Sequence, residues 1–456
     1  MADALPEGLL VAVYGDDFTG SAATMEVMAF AGLPAALFLD LPSRAQLDRF
    51  PGLRAVVVAG TARSHGPAWM ETHLPRMFEG LAATGAPLVH YKVCSTLDSA
   101  PEVGSIGRAI EIALGTFAAP WVPALIAAPA IRRYQCFGHL FAAAPGGVFR
   151  LDRHPVMARH PVTPMGESDV ARHLERQTGL PIGVLDLEAL ETEGTARARL
   201  ADLRARGVRI VCLDTVDEDD LARCGGLIWE TRGSDAFCMG SQGIEYALVA
   251  HWRRSCGLER ARAPVGIGRA RGMVAVSGSV SSVTAGQIDW ALARGFHGIA
   301  LDPCALVQGG EAAREAEAAA VEACRAALSD GQDPLVFTAR GPADPSLGRM
   351  AEARARTGVD AETANARIGE GLGRVLDRTL RETRVSRAVI SGGDTSGHAT
   401  RQLGLFALTA LAPTIPGAGI CRAHSEDPVF DGLELALKGG QMGSEDYFGR
   451  VRDGGG

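Results

Sequence analysis

Short apolar runs that end in small or polar turn residues, with helix-period stretches between them, recur along the chain and constrain its fold more than any other feature. LLVAVYG leads into a helix pattern over 21–31, and PAALFLD, RAVVVAG, APLVHYKV and PALIAAPA repeat the strand pattern. IGVLDLEAL and GVRIVCLDTV continue it, and MGSQGIEYALVAHWRR reads as a helix. The strand runs scarcely alternate apolar with polar residues. That pattern suits strands buried on both faces of a parallel sheet with crossover helices. RLDRHPVMARHPVTPMGES has no period and reads as a long loop over one face, of the kind that carries function.

A charged segment with Pro and Gly, residues 253–272, lacks an apolar period and marks a boundary. Beyond it GMVAVSGSV, GIALDP, DPLVFTAR, SRAVISGGD and GLELALKGG read as a second strand series, with EAAREAEAAAVEACRAALSD as a helix. The expected architecture is α/β: two α/β domains, 1–262 and 263–456, each with a mostly parallel sheet flanked by helices. The active site is expected in the cleft between them.

Composition narrows the function. A net charge of −8 argues against a nucleic-acid surface. The nine cysteines form no C-x-x-C pair, so neither a metal-ligand spacing nor a disulfide framework is expected. The N-terminus shows no leader pattern, and no run of about 18 apolar residues is present to span a membrane. A cytoplasmic enzyme in a reducing compartment is expected. Of the 45 basic residues counted as Lys plus Arg, only Lys92 and Lys438 are lysines. A codon bias toward Arg explains the rarity, but both survivors lie beside small polar turn residues. A compact ammonium on a flexible stem is not mimicked by Arg.

Five motifs carry candidate chemistry. In YGDDFTG, Asp16 and Asp17 stand where a strand ends and a helix begins, the edge at which parallel sheets place ligands. Successive strand residues face opposite ways, so one acid points into a crevice while the other braces the loop. That acid is a candidate general base; the alternative is that Asp17 or Thr19 only caps the helix. Aspartyl phosphatases use acids two apart, and the adjacent pair here does not match that spacing. In VAVSGSVSSVTAGQI, Ser279 follows a strand and offers a hydroxyl near free backbone N–H groups. In VISGGDTSGHATRQLG, Gly392 and Gly393 permit close approach of a polyphosphate, and Thr395 adds a hydroxyl. Asp394 is the candidate Mg²⁺ ligand there. In LALKGGQMGSEDYF, Lys438 and Gly440 follow a strand and could frame a nucleotide. No Walker pattern occurs, and GEGLGR lies inside a helical pattern. Finally, TARSHG and HYKVCSTLDS place Arg63, Lys92, Ser95, Thr96 and Asp98 after strands, and Arg132 and Arg133 follow PALIAAPA. These supply cations for an acidic substrate and hydroxyl partners for a polyol.

Together the motifs resemble, in order and over nearly the whole chain, the four-carbon acid sugar kinase family. DDFTG is similar to its opening motif and YKVCSTLDS to its K-K-x-D-S-T-L-R-G motif, with Cys94 and Asp98 where the family has Asp and Arg. GSVSSVTAGQI, SGGDTSG and KGGQMG resemble its nucleotide-domain motifs. The resemblance implies an N-terminal sugar-acid domain and a C-terminal nucleotide domain. It implies Asp16, Asp17, Arg63 and Lys92 at the acid, and Ser279, Gly392, Gly393, Asp394, Thr395 and Gly440 at ATP; from their places after strands and turns, Thr19, Ser95 and Arg132 are expected to join the acid site and Lys438 the nucleotide site. The implied reaction is ATP- and Mg²⁺-dependent phosphorylation of a sugar-acid hydroxyl, with Asp17 or Asp16 as base. A phosphatase using the acidic turn and a non-catalytic sugar-acid or nucleotide sensor are the alternatives. No nucleic-acid or membrane partner is expected; a homo-oligomer is possible.

Overall fold

The computed structural model describes residues 4–144, 146–160, 162–262 and 264–456, apart from the side chain of Asp394. Its contacts divide the chain into two compact units, Met1–Arg262 and Ala263–Gly456.

In the first unit the strands β1 (Val11–Gly15), β2 (Ala35–Phe38), β3 (Ala55–Ala59), β4 (Leu88–Lys92) and β5 (Val122–Leu125) come first. A small antiparallel meander follows: β6 (Arg133–Cys136), β7 (His139–Ala144) and β8 (Gly147–Arg150). The strands β9 (Ile182–Leu185), β10 (Ile210–Leu213) and β11 (Ala236–Gly240) complete the unit. The main sheet runs β2-β3-β1-β4-β11-β5-β10-β9, and every pairing in it is parallel. Its central strands are buried at every position, which is why their sequences do not alternate. Helices such as Phe18–Phe30, Pro67–Ala82 and Gly243–Ser255 cover the faces. Tyr14 and Tyr91 stack across the core at 6.0 Å, with Phe78 set edge-on to both.

The meander and β11 are absent from the sequence reading. The meander strands are half-buried and short, with two turn residues, Phe137 and Gly138, at positive φ. Such a hairpin is fixed by its turn and its pairing more than by apolar period. The segment after β8 holds only two 3₁₀ turns, Leu151–Arg153 and Met157–Arg159, among the described residues before the helix Val170–Glu175. That agrees with the expected long loop.

The second unit contains β12 (Met273–Ser277), β13 (Phe296–Ala300), β14 (Asp333–Phe337), β15 (Arg387–Ser391), β16 (Leu405–Ala412), β17 (Ile420–Ser425) and β18 (Glu434–Lys438). The order is β13-β14-β12-β15-β18-β17-β16. The first five strands pair in parallel, while β17 is antiparallel to both its neighbours. Helix Ser282–Leu292 and helix Tyr447–Asp453 pack on this sheet through Ile288, Ala291, Tyr447, Phe448 and Val451. The expected α/β class with mostly parallel sheets is the one observed. The hairpin of β16 and β17 was not foreseen; it is what makes the second sheet mixed.

Candidate active site

In each unit the chain leaves the first strand of the sheet in one direction and later returns to its other side. In the first, β1 leads outward to β2 and β3, then the chain crosses back to β4 on the other side of β1. In the second, β12 leads outward to β13 and β14, then returns to β15 on its other side. Ligands of open α/β sheets bind at the carboxyl ends of strands flanking such a reversal. Nearly all the candidate residues lie at these two edges.

In the first unit the strand ends are level: Gly15 pairs with Ala59 and Lys92, and Lys92 with Gly240. Asp16 leaves β1 with its N–H donating to the Lys92 carbonyl and its carbonyl accepting from Arg63 N–H. Its carboxylate is buried and receives Arg63 twice, Nη2 at 2.6 Å to Oδ1 and Nε at 3.2 Å to Oδ2. Burial pushes the Asp16 carboxyl up, and the guanidinium pulls it back. Burial opposes the charge on Arg63 too, but Asp16 and Asp17 overcome it and hold the guanidinium firmly charged. Asp17 caps helix Phe18–Phe30: Oδ1 accepts from Gly20 N–H at 3.0 Å and from Arg63 Nη2 at 2.9 Å. Capping and site formation are therefore the same act. Asp17 Oδ2 has no partner among the described residues, and the side chain is 26% exposed. Asp16 braces, and Asp17 keeps an open oxygen.

Lys92 is buried, and its ammonium donates to the Val93 carbonyl at 2.7 Å. A Cβ built on Gly20 would overlap both this ammonium and the Asp17 carboxylate, so the first helical turn needs glycine to let them approach. Beyond Lys92 the chain turns through Leu97, at φ 53°, and Ser99 fixes that turn by donating to the Leu97 carbonyl at 2.9 Å. Thr96 donates to Asp98 at 2.9 Å, and Cys94 lies 2.9 Å from the Thr96 hydroxyl. Burial, reinforced by Asp98, pushes the Cys94 thiol up to about 11, so it is a neutral group here. Ser95 and Thr19 are half-buried beside these groups in the chain. Arg132 is exposed at φ 58°, whereas its neighbour Arg133 is half-buried and feels the charge of Asp98.

In the second unit Ser277 pairs in register with Ser391, and Ser391 with Lys438. Both serines are buried, and neither hydroxyl has a partner among the described residues. Lys438 is buried as well, donating to the Thr284 hydroxyl at 3.1 Å and to the Gly439 carbonyl at 2.9 Å. No carboxylate among the described residues pairs with it, and burial pushes its pKa down to about 7. Gly392, at φ 128°, precedes helix Gly393–Gln402, which has no side-chain cap. A Cβ on Gly392 would come within 2.7 Å of Thr395 Oγ1. Over Gly393 the space is open. Ser279 lies opposite Gly440, where an added Cβ would stand 2.6 Å from the serine hydroxyl. The Gly440 carbonyl in turn accepts from Thr284 at 2.9 Å. The strand ends thus meet an uncapped helix N-terminus, two orphan hydroxyls and an unpaired ammonium, a set suited to phosphate oxygens. The side chain of Asp394, the candidate metal ligand, lies outside the described residues.

Sequence reasoning passed over Ser391 and, in the Ser-Gly-Ser turn that leads to the helix near Thr284, singled out Ser279 alone. A signal for Ser277 and Ser391 was present: each ends a strand as apolar-Ser-Gly, once in VAVSG and once in VISGG. The role of Thr284 is recognisable only from its partners.

Comparison with known proteins matches these two halves separately. A family model described as a sugar-binding N-terminal domain matches residues 11–248, and one described as a nucleotide-binding C-terminal domain matches 274–448. A 3-oxo-isoapionate kinase of Paraburkholderia graminis is 45% identical over 99% of this chain and 96% of its own. A 3-oxo-tetronate kinase of Pseudomonas fluorescens is 28% identical over 97% of this chain and 96% of its own. A crystallised candidate tRNA synthase of Salmonella typhimurium LT2 superposes with TM-score 0.76 at 25% identity, covering 97% of this chain and 99% of its own. The phosphatase and sensor alternatives find no support among these relatives. The paired domains, the near-complete coverage by kinases and the ordered motifs establish that this chain belongs to the four-carbon acid sugar kinase family and is a phosphotransferase acting on a sugar-acid hydroxyl.

Proposed function

We propose that the protein transfers the γ-phosphoryl group of ATP to a hydroxyl of a four-carbon or closely related oxo sugar acid, of the 3-oxo-tetronate or 3-oxo-isoapionate kind. The names of its relatives support that substrate class. The observation that carries the reading is the pair of buried lysines. The only two in the chain each lie at the carboxyl end of a strand beside a sheet reversal, with no carboxylate in ion-pair contact among the described residues. A buried ammonium held only by neutral acceptors is costly unless an anion arrives.

The first unit takes the acceptor. Asp17 Oδ2 accepts the proton of the reacting hydroxyl, while Arg63 and the Gly20 N–H hold the other oxygen and fix the direction of attack. Asp16 keeps Arg63 in place. Lys92, Thr19 and Ser95 face the polar groups of the acid. The second unit takes the triphosphate, with the N-terminus at Gly393, the Ser279 and Thr395 hydroxyls, the Gly440 turn and Lys438 around it. Phosphoryl transfer is mainly a matter of positioning and charge stabilisation, which these groups supply. Mg²⁺ fits the same edge: hard cations take oxygen donors, and the buried Ser277 and Ser391 hydroxyls lie in register with Lys438. Asp394 is the proposed carboxylate ligand. When bound, the ion neutralises charge on the transferring group. The ATP pool and nine free thiols favour a cytoplasmic setting, and no described helix is long and apolar enough to cross a membrane.

A coupled ADP-release assay over a panel of four-carbon sugar acids and their 3-oxo forms tests the reading. ADP and phosphorylated acid should form in equal amounts. ATP turnover with none of the acids, or ATP-independent phosphate release from sugar phosphates, would refute it.

A further inference from the structure

The guanidinium beside Asp17 is already paired. Arg63 faces Asp16 through two nitrogens and Asp17 through one of them. A substrate carboxylate placed against Arg63 would have to displace an existing ion pair. An acid substrate needs its counter-charge elsewhere.

Arg133 is in the opposite condition. It opens β6, and its backbone is held in an antiparallel bridge to Ala128, with Ala128 N–H donating to its carbonyl at 2.9 Å. Ala128 lies three residues beyond the carboxyl end of β5, so the meander folds this arginine back to the edge that carries Asp17 and Lys92. Its guanidinium is poorly satisfied. Nη1 reaches the backbone carbonyls of Ile131 and Arg132 at 3.3 Å and of Ala143 at 3.5 Å. Nε is buried with no partner, and no carboxylate forms an ion pair with the side chain among the described residues. Asp98, whose charge reaches both Arg63 and Arg133, takes its hydrogen bond from Thr96 instead. Burial lowers the pKa of Arg133, which marks a cation set in protein without its anion. β1 and β5 are three strand spacings apart, about 14 Å. A short sugar acid between an aspartate from one end and a long arginine from the other fills such a gap.

Resting on the kinase reading, we propose that Arg133 binds the carboxylate of the acid substrate, and that Arg132 and Arg63 do not. Nη2 has no partner among the described residues and, unlike Nε, is not buried, so it is the nitrogen placed to meet a carboxylate oxygen. That contact sets the acid end of the substrate and so chooses which hydroxyl reaches Asp17.

The test compares wild type with R133M, R133K and R132M in the ADP-release assay. The acceptors are the best acid of the panel and its primary amide, which keeps the shape and loses the charge. R133M should raise KM for the acid about 10- to 100-fold, the size of a lost charge-assisted pair. KM for ATP should stay within about twofold, and the preference for acid over amide should disappear. A merely structural role would not erase that preference. R133K should recover part of it, because the point charge remains while the fork is lost. R132M should behave as wild type. Should R133M fail to fold by its thermal transition, R133K alone decides, through a KM raised about tenfold for the acid and unchanged for the amide. Undiminished acid preference in folded R133M, or in R133K when R133M does not fold, overturns the assignment while leaving the kinase reading intact. A wild-type enzyme that turns over no acid at all overturns both.

Discussion

Lys438→Met removes a buried charge that no described carboxylate neutralises, and its effect on nucleotide binding is measurable through protons. With a pKa of about 7 in the free protein, the lysine is about 0.9 charged at pH 6 and about 0.1 charged at pH 8. A bound triphosphate holds it charged. Binding at pH 8 should therefore take up about 0.9 proton, against about 0.1 at pH 6. The uncharged fraction weakens the apparent affinity at pH 8 by about tenfold relative to pH 6, about 1.4 kcal/mol. Titration calorimetry with Mg²⁺ and a non-hydrolysable ATP analogue, in buffers of different ionisation enthalpy, reads the proton number directly. Protons from the nucleotide itself cancel in the difference between wild type and variant. K438M should lose the extra uptake and bind more weakly at pH 6, and K438R should bind with no such uptake because its charge is permanent. Stability of the free protein should move the other way. The folded pKa lies below the 10.5 of an ordinary lysine, so between about pH 7 and 10.5 the unfolded chain holds more protons. Stability thus rises with pH across that window, and K438M removes the rise while raising the melting temperature below it. Equal proton uptake in wild type and K438M would refute the role of Lys438 at the phosphates.

Four other variants separate the remaining roles. D17N should lower kcat about a hundredfold to ten-thousandfold in the ADP assay while analogue binding by calorimetry stays near wild type; D16N leaves Arg63 without its main buried partner and should lower stability by about 3–5 kcal/mol in urea denaturation. G393V projects a side chain into open space over the helix N-terminus, so ATP affinity should fall while the melting temperature holds. G20A drives a methyl group into the Lys92 ammonium and the Asp17 carboxylate, and should cut turnover at least tenfold with unchanged ATP affinity; wild-type kinetics would show that their close approach does not matter.

Ten of the thirteen parallel strands of the two main sheets, β16 and β17 not counted, were near-continuous apolar runs, and all but one of the thirteen coincide with a run named from the sequence. β11, AFCMG, escaped because Met239 and Gly240 read as the lead-in to the next helix. The meander escaped because half-buried hairpin strands have little apolar signal of their own. Among site residues, the acidic turn, the Gly-Gly turn and both lysines were visible as motifs. Which of Asp16 and Asp17 keeps a free oxygen was not visible, because it depends on where Arg63 arrives from a turn 47 positions away. Arg132 and Arg133 were likewise indistinguishable until the bridge to Ala128 turned one inward.

The order of residues by itself determined the α/β class and the strand ends that carry chemistry, since burial on both faces and turn chemistry are local properties written in composition and period. Partnership was decided only by the tertiary structure. Whether a carboxylate braces an arginine or stays open, and whether a cation is paired or waiting, depends on strands brought together from distant parts of the chain, and no local pattern encodes that sum of charges.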